Sequence, residues 1–232
     1  MYRPFLLSTL CLSAALTVAA PLQAQKAPHS HGHSHAHDHS HNHAHDHAHD
    51  EVAEKIARGY FEDAQVAPRP LSDWAGEWQS VWPLLEDGTL APVMAHKAKS
   101  GSRTAADWTA YYETGYRTDI AAITITAEGG FDFLRADGSG FAGHYVSDGE
   151  EILTYAKGNR GVRFIFKKTG GDDEAPAFVQ FSDHRIAPSV SDHFHLYWGG
   201  DRAALLQEVT HWPTYYPARL SGAEVAAEMM AH

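Results

Sequence analysis

His184, His193 and His195 are the residues of this chain whose types and spacing best suit a reaction, and that reaction is metal coordination. His193 and His195 flank Phe194 in an extended, aromatic-rich run, so both imidazoles leave the same strand face, about 6–7 Å apart at the backbone. His184 joins them if the eight-residue connection, which contains Pro188, folds its strand back alongside. Antiparallel neighbours then lie about 5 Å apart, a gap that metal–nitrogen bonds of about 2 Å on each side can bridge. Three imidazoles with no thiolate suggest Zn(II) or a borderline ion like it. They leave a fourth position for water or an exchangeable group, a pattern shared by catalytic zinc and by carriers that must surrender their metal. Asp183 and Asp192 adjoin these ligands but should point to the opposite strand face. They fit better as acceptors that orient imidazoles, or as loop residues, than as ligands.

A second histidine cluster is of another kind. His29, His31, His33, His35, His37, His39, His41, His43, His45, His47 and His49 alternate with small or acidic residues. No single arrangement is favoured, so the stretch reads as many equivalent weak sites for Zn(II), Ni(II) or Cu(II). Residues 25–50 show no apolar period and cannot bury enough surface to offset chain entropy; disorder without metal is expected. A flexible tail of that length reaches about 25–30 Å, far enough to pass metal to the three-histidine site or lend it a transient ligand. His96, His144, His211 and His232 read as surface or packed residues.

The start of the chain bears on where this chemistry takes place. Arg3, an apolar run from Phe5 to Ala20 that is short for a membrane span, and Ala24 before Gln25 predict a cleaved secretory signal over residues 1–24. The only cysteine, Cys11, lies inside it after Leu10, which argues against a lipoprotein signal and a membrane anchor. A metal site in the remainder must therefore use His, Asp or Glu. With 18 Lys and Arg against 29 Asp and Glu the net charge is −11, and no basic cluster is present. That balance argues against nucleic acid and anionic membranes as partners and suits attraction of divalent cations.

The elements that must position the histidines are mostly strands. Helical spacing is expected over 51–64, 90–99 and 105–116. Residues 71–82 read as a turn entering a first strand. Short apolar runs follow at Ile120–Thr126, Phe131–Leu134, Phe141–Val146, Ile152–Tyr155, Val162–Phe166, Phe178–Phe181 and His193–Trp198. Gly- and Asp-rich breaks separate them, among them Ser147-Asp148-Gly149. This spacing predicts an antiparallel barrel or sandwich. Gly76-Glu77-Trp78 matches the short Gly-x-Trp signature of lipocalin-like barrels, and the tally of about eight strands from it onward makes a small closed barrel the first choice. Tyr111, Tyr112, Tyr155, Phe164, Phe166, Tyr197 and Trp198 are expected in its core. Asp201 is placed to cap a helix over 202–209, and Ser221 with Glu224 forms a capping box for a last one.

Six segments taken together resemble the ZinT (YodA) family of periplasmic zinc- and cadmium-binding proteins. They are Leu71-Ser72-Asp73-Trp74, Tyr116-Arg117-Thr118-Asp119-Ile120, Ile152-Leu153-Thr154-Tyr155, Gln180-Phe181-Ser182-Asp183-His184, His193-Phe194-His195 and Trp212-Pro213-Thr214-Tyr215-Tyr216-Pro217. The resemblance runs from about Glu51 to His232. It implies a mainly β, calycin-like (lipocalin-like) antiparallel barrel with a helical cap, and metal held by His184, His193 and His195. It implies further that zinc, and cadmium as an alternative, is captured in the periplasm and delivered to the solute-binding protein of a zinc ABC importer, with no enzymatic activity. Some members carry a cysteine pair linking strands, which this chain lacks.

Two other readings follow from the same residues. A His-x-His pair with a distant third His is also the ligand pattern of carbonic-anhydrase-like hydrating or hydrolytic enzymes, which need an apolar substrate pocket beside the ion. No nucleophile-and-base motif accompanies it here. A lipocalin-like carrier of an apolar ligand, suggested by Gly76-x-Trp78, needs a hollow barrel.

Overall fold

The computed structural model describes residues 51–231. The expected signal segment, 1–24, and the histidine tail, 25–50, lie outside the described residues, as does His232. Eight strands form a closed barrel: β1 (Gly76–Ser80), β2 (Ile120–Ile125), β3 (Gly130–Arg135), β4 (Gly140–Thr154), β5 (Arg160–Gly171), β6 (Phe178–Ser182), β7 (Phe194–Gly199) and β8 (Thr214–Pro217). Each strand pairs antiparallel with the next, and β1 pairs antiparallel with β8 to close the ring. Closure leaves no sheet edge unpaired.

Side-chain alternation sends Ile123, Phe131, Phe133, Phe164, Phe166, Phe181, Phe194, Leu196 and Tyr215 inward, where they are buried. Trp74, from a 3-10 turn (Leu71–Trp74) just before β1, stacks on Phe181 with ring centroids 4.7 Å apart. The Trp78 indole N–H donates to the Trp74 carbonyl at 2.8 Å, and its ring meets Phe194 edge-on at 4.7 Å. Both tryptophans of this segment fill the barrel. The interior is a packed aromatic core, so the carrier that would need a hollow barrel loses its cavity.

On β5 and β6 the outward residues Arg163, Ile165 and Gln180 are buried as well as the inward ones. Strands covered on both faces carry continuous apolar runs and hide which face is the core. A helical layer supplies a second core against the wall: α1 (Trp82–Glu86), α2 (Ala91–Lys99), α3 (Ala105–Tyr116) and, after a short α4 (Arg202–Gln207) that stands apart from this core, α5 (Gly222–Ala231). Val93 and Met94 of α2, Tyr116 of α3 and Val225 and Met229 of α5 pack with Tyr216 of β8. Thr104 and Asp107 close a capping box on α3, Asp201 accepts from the Ala203 and Ala204 amides, and Ser221 and Glu224 cap α5.

Several expectations change. Ser147-Asp148-Gly149 does not end a strand; it is a bulge inside β4, where the register to β5 shifts between Ser147 and Glu150. The eighth strand is Thr214–Pro217, which the apolar runs did not reveal. Helix over 51–64 gives way after residue 57, and the first strand stops at Ser80 so that Trp82 opens α1. The helix after Asp201 ends at Gln207 and not at 209. Tyr111 and Tyr112 belong to α3 and lie outside the barrel, Tyr197 faces outward from β7 with the Arg163 guanidinium over its ring, and Tyr155 and Trp198 are only half-buried.

Candidate metal centre

Ser182, the last residue of β6, pairs with His195 in β7, and His195 pairs with Thr214 in β8. Phe194 and Leu196 point into the barrel, so His195 and His193, one residue before the strand, face outward. The histidines therefore stand on the outside of the barrel wall, beneath the helical layer. His184 follows β6 by two residues and has φ 63°, the only positive φ at a non-glycine among the described residues. That conformation is sterically unfavourable for a residue with a Cβ and persists only where surrounding contacts enforce it.

The three rings meet. Ring centroids are 5.7 Å apart for His184 and His193, 5.5 Å for His184 and His195, and 5.9 Å for His193 and His195. One nitrogen from each lies within 4.8 Å of the other two. Tetrahedral zinc with bonds of about 2.0–2.1 Å needs about 3.3 Å between ligand nitrogens, so small ring rotations close the set.

Neighbours choose which nitrogen is offered. Asp192 Oδ1 lies 2.9 Å from His193 Nδ1 and an ionised carboxylate can only accept, so that nitrogen carries a proton and Nε2 is the nitrogen a neutral ring would offer. The Thr214 hydroxyl donates to the Trp212 carbonyl at 3.0 Å and is left to accept from His195 Nδ1 at 2.7 Å. His195 likewise presents Nε2. The His193 ring also stacks on Tyr216, at 5.2 Å between centroids and 13° between planes.

The electrostatics favour a neutral His195 ring. Burial foremost, then the neighbouring His184 and His193 and the Arg163 guanidinium, push the His195 pKa well below its ordinary 6.5. A neutral imidazole is the form a metal needs. Burial would raise the Asp192 pKa. The hydrogen bond and charge of His193, with the Arg185 guanidinium 2.5 Å away, outweigh it and hold the carboxyl well below the carboxylate range. Asp192 is therefore an anion beside the His193 ring at ordinary pH.

A cleft of about 750 Å³ opens over the histidines, walled by Tyr111, Tyr112 and Tyr116 of α3, Trp212, Met229 of α5 and Lys97 of α2. Ala53, Ile56 and Ala57, from the helical residues that follow the histidine tail in sequence, line its margin. α3 reaches Trp212 this closely because residue 115 is glycine. A Cβ there would fall 2.4 Å from the indole, and the Gly115 carbonyl accepts from the Trp212 amide at 2.7 Å.

The structure thus brings His184, His193 and His195 together. His29, His31, His33, His35, His37, His39, His41, His43, His45, His47 and His49 lie outside the described residues. Asp183 faces away from the ring cluster onto Arg69, and Asp192 orients His193; neither joins the imidazole group. His96 and His144 stand apart on α2 and β4, and His211 contacts the Arg117 carbonyl. Thr214, Tyr216 and Arg69 were not foreseen as part of the site. The one signal for Arg69 is its place between Pro68 and Pro70, which fixes its backbone in an extended form.

Known proteins share this domain. A family model described as "ZinT (YodA) periplasmic lipocalin-like zinc-recruitment" matches residues 52–232. The chain is 51% identical over 179 residues to the Bacillus subtilis (strain 168) protein named "Probable metal-binding protein YrpE", covering 77% of this chain and 70% of that one. It is 50% identical over 179 residues to "Zinc-binding lipoprotein AdcA" of Streptococcus pneumoniae serotype 4, covering 76% of this chain and 35% of that protein. The match thus spans about a third of that longer relative. The crystal structure of the Zn(II)-bound ZinT-like domain of Streptococcus pneumoniae AdcA aligns with a TM-score of 0.72 at 50% identity, covering 75% of this chain and 97% of the domain.

Proposed function

Since the chain belongs to the ZinT (YodA) family, we propose that it is a zinc-binding accessory protein. In this reading it captures and buffers Zn(II) outside the cytoplasm, in the periplasm, and hands it to the solute-binding protein of a high-affinity zinc ABC importer when zinc is scarce. His184, His193 and His195 are its ligands. The alternating histidines from His29 to His49 are a low-affinity collector upstream of them. Cd(II), Ni(II) and Cu(II), which imidazole also accepts, are competitors for the same nitrogens.

The observation that carries the reading is the convergence of three imidazole nitrogens within 4.8 Å on one wall, two of them turned metal-ward by Asp192 and Thr214. Three neutral ligands and a fourth position facing a cleft suit a carrier, because an incoming ligand can displace the bound ones stepwise. The Zn(II)-bound AdcA domain supports zinc as the cargo.

Titration with Zn(II) against a chromophoric chelator tests the proposal. Protein lacking residues 25–50 should keep one tight equivalent, and the full chain should add weaker ones. His193→Ala with His195→Ala in the shortened chain should remove the tight equivalent. Absence of tight binding in the shortened wild-type chain would overturn the assignment.

A further inference from the structure

Of the three proposed ligands His195 lies in β7 and His193 directly before it, but His184 stands two residues beyond the end of β6. It sits on the 183–192 connection in a disfavoured backbone conformation, and something must keep it within a few tenths of an ångström of the place where a metal would sit. One side chain grips that connection at both ends. Arg69 has no solvent-exposed side-chain surface, and its guanidinium donates to three different acceptors. Nη1 donates to Asp183 Oδ1 at 2.6 Å, the residue before His184. Nη2 donates to the Ser189 carbonyl at 2.7 Å. Nε donates to Asp73 Oδ2 at 2.8 Å.

Asp73 completes the grip. Its Oδ2 accepts from the Ser189 amide at 2.8 Å, and its carbonyl accepts from the Ser191 amide at 2.8 Å. The Ser191 hydroxyl then donates to the His193 carbonyl at 2.7 Å. Two residues before Arg69, the Ala67 amide donates to the Ile186 carbonyl at 2.9 Å. The guanidinium is anchored in turn over the Trp74 ring, 4.1 Å from its centroid, in the barrel core. A chain of contacts therefore runs from the packed interior, through Arg69 and Asp73, to the backbone beside His184 and to that of His193.

We propose that Arg69, together with Asp73, is the positioning residue of the metal centre: it sets the separation of His184 from His193 and His195 and so holds the site ready before metal arrives. This rests on the three-histidine reading given above. Only arginine fits the task. A planar fork with donors on three nitrogens reaches Asp73, Asp183 and Ser189 at once, whereas a lysine ammonium is a single point of charge. Polar neighbours that orient ligands are worth about 10–100-fold in metal affinity.

The test compares wild type and Arg69→Lys in the chain lacking residues 25–50, at a temperature where both are folded by near-ultraviolet circular dichroism. Zn(II) affinity and the visible d–d spectrum of the Co(II)-loaded protein are read together. The expected result is Zn(II) binding weakened 10–100-fold and an altered Co(II) spectrum, since the third imidazole no longer arrives at its place. Unchanged affinity and an unchanged spectrum in folded Arg69→Lys, with or without a lower Tm, would overturn the proposal and leave Arg69 a support of the barrel alone. Because disturbing a buried charge network can unfold a protein, Asp183→Asn is the second variant. It keeps the side-chain shape but removes the charge that strengthens the Nη1 contact, and is read for the same two outcomes. Failure of wild type itself to bind would count against the three-histidine reading, so the two failures are distinguishable.

Discussion

The two faces of β7 are built for opposite ends. Phe194 and Leu196 are fully buried in an aromatic interior that also holds Trp74, Trp78, Phe131, Phe164 and Phe181. One residue out of phase, His193 and His195 face a cleft of about 750 Å³ beneath the helices, with a carboxylate and a hydroxyl behind them. In a barrel whose lumen is filled, binding has to move to the outside, and the helical layer creates the sheltered surface that the lumen no longer offers. The interior sets the frame; the outer wall carries the polar contacts that would be costly inside.

Separating the two faces by mutation gives the sharpest test of that division. Phe131→Ala, deep in the interior on β3 and away from the histidines, should cost about 3–5 kcal/mol of stability in chemical denaturation. Its folded fraction should bind zinc within about twofold of wild type. A large loss of affinity would tie the interior to the site more closely than described here.

On the outer wall the balance reverses. Asp192→Asn removes the anion behind His193 and weakens its hold on the tautomer. Zinc affinity should fall about 10–100-fold in competition titrations, with little change in denaturation midpoint. Thr214→Val keeps the shape and removes the acceptor for His195 Nδ1, and should cost nearer tenfold, or about 1.4 kcal/mol. Equal affinities for these variants and wild type would mean that the ring orientations are set by packing alone.

Acid should expose the same asymmetry more gently. The His195 pKa is depressed in the folded chain, so above about pH 6.5 the ring is neutral in both folded and unfolded states and contributes no pH dependence. As pH falls below about 6.5 the unfolded chain takes up a proton that the folded chain resists. The metal-free protein then loses up to about 1.4 kcal/mol per pH unit from this group. Thermal melts between pH 7 and 5 should show this slope in wild type and a shallower one in His195→Gln. Zinc release should follow the same direction, since ligands must shed their protons to bind.

Much of this organisation is legible in the residues themselves. Gly and Asp breaks mark β2, β3, β5 and β6, Asp201 and Ser221 announce their helices, and the His-x-His pair with its distant partner marks the site. The bulge at Ser147–Gly149 was hidden because the residues that make a turn also make a bulge, and only the partner strand decides between them. β8 was hidden because four residues ending in proline carry too short an alternation to register. A two-residue period shows that His193 and His195 share a face but not whether that face is inside, and on a barrel covered by helices both answers look apolar. The role of Arg69 depends on a partner 114 residues away, Asp183, and no local pattern reports such a pairing.

The most direct test is a crystal structure of the zinc-loaded chain lacking residues 25–50, with the ion located by its anomalous scattering. The account predicts one strong peak outside the barrel wall, about 2.0–2.1 Å from a nitrogen of each of His184, His193 and His195. A peak inside the barrel, or at other residues with these three rings apart, would contradict it.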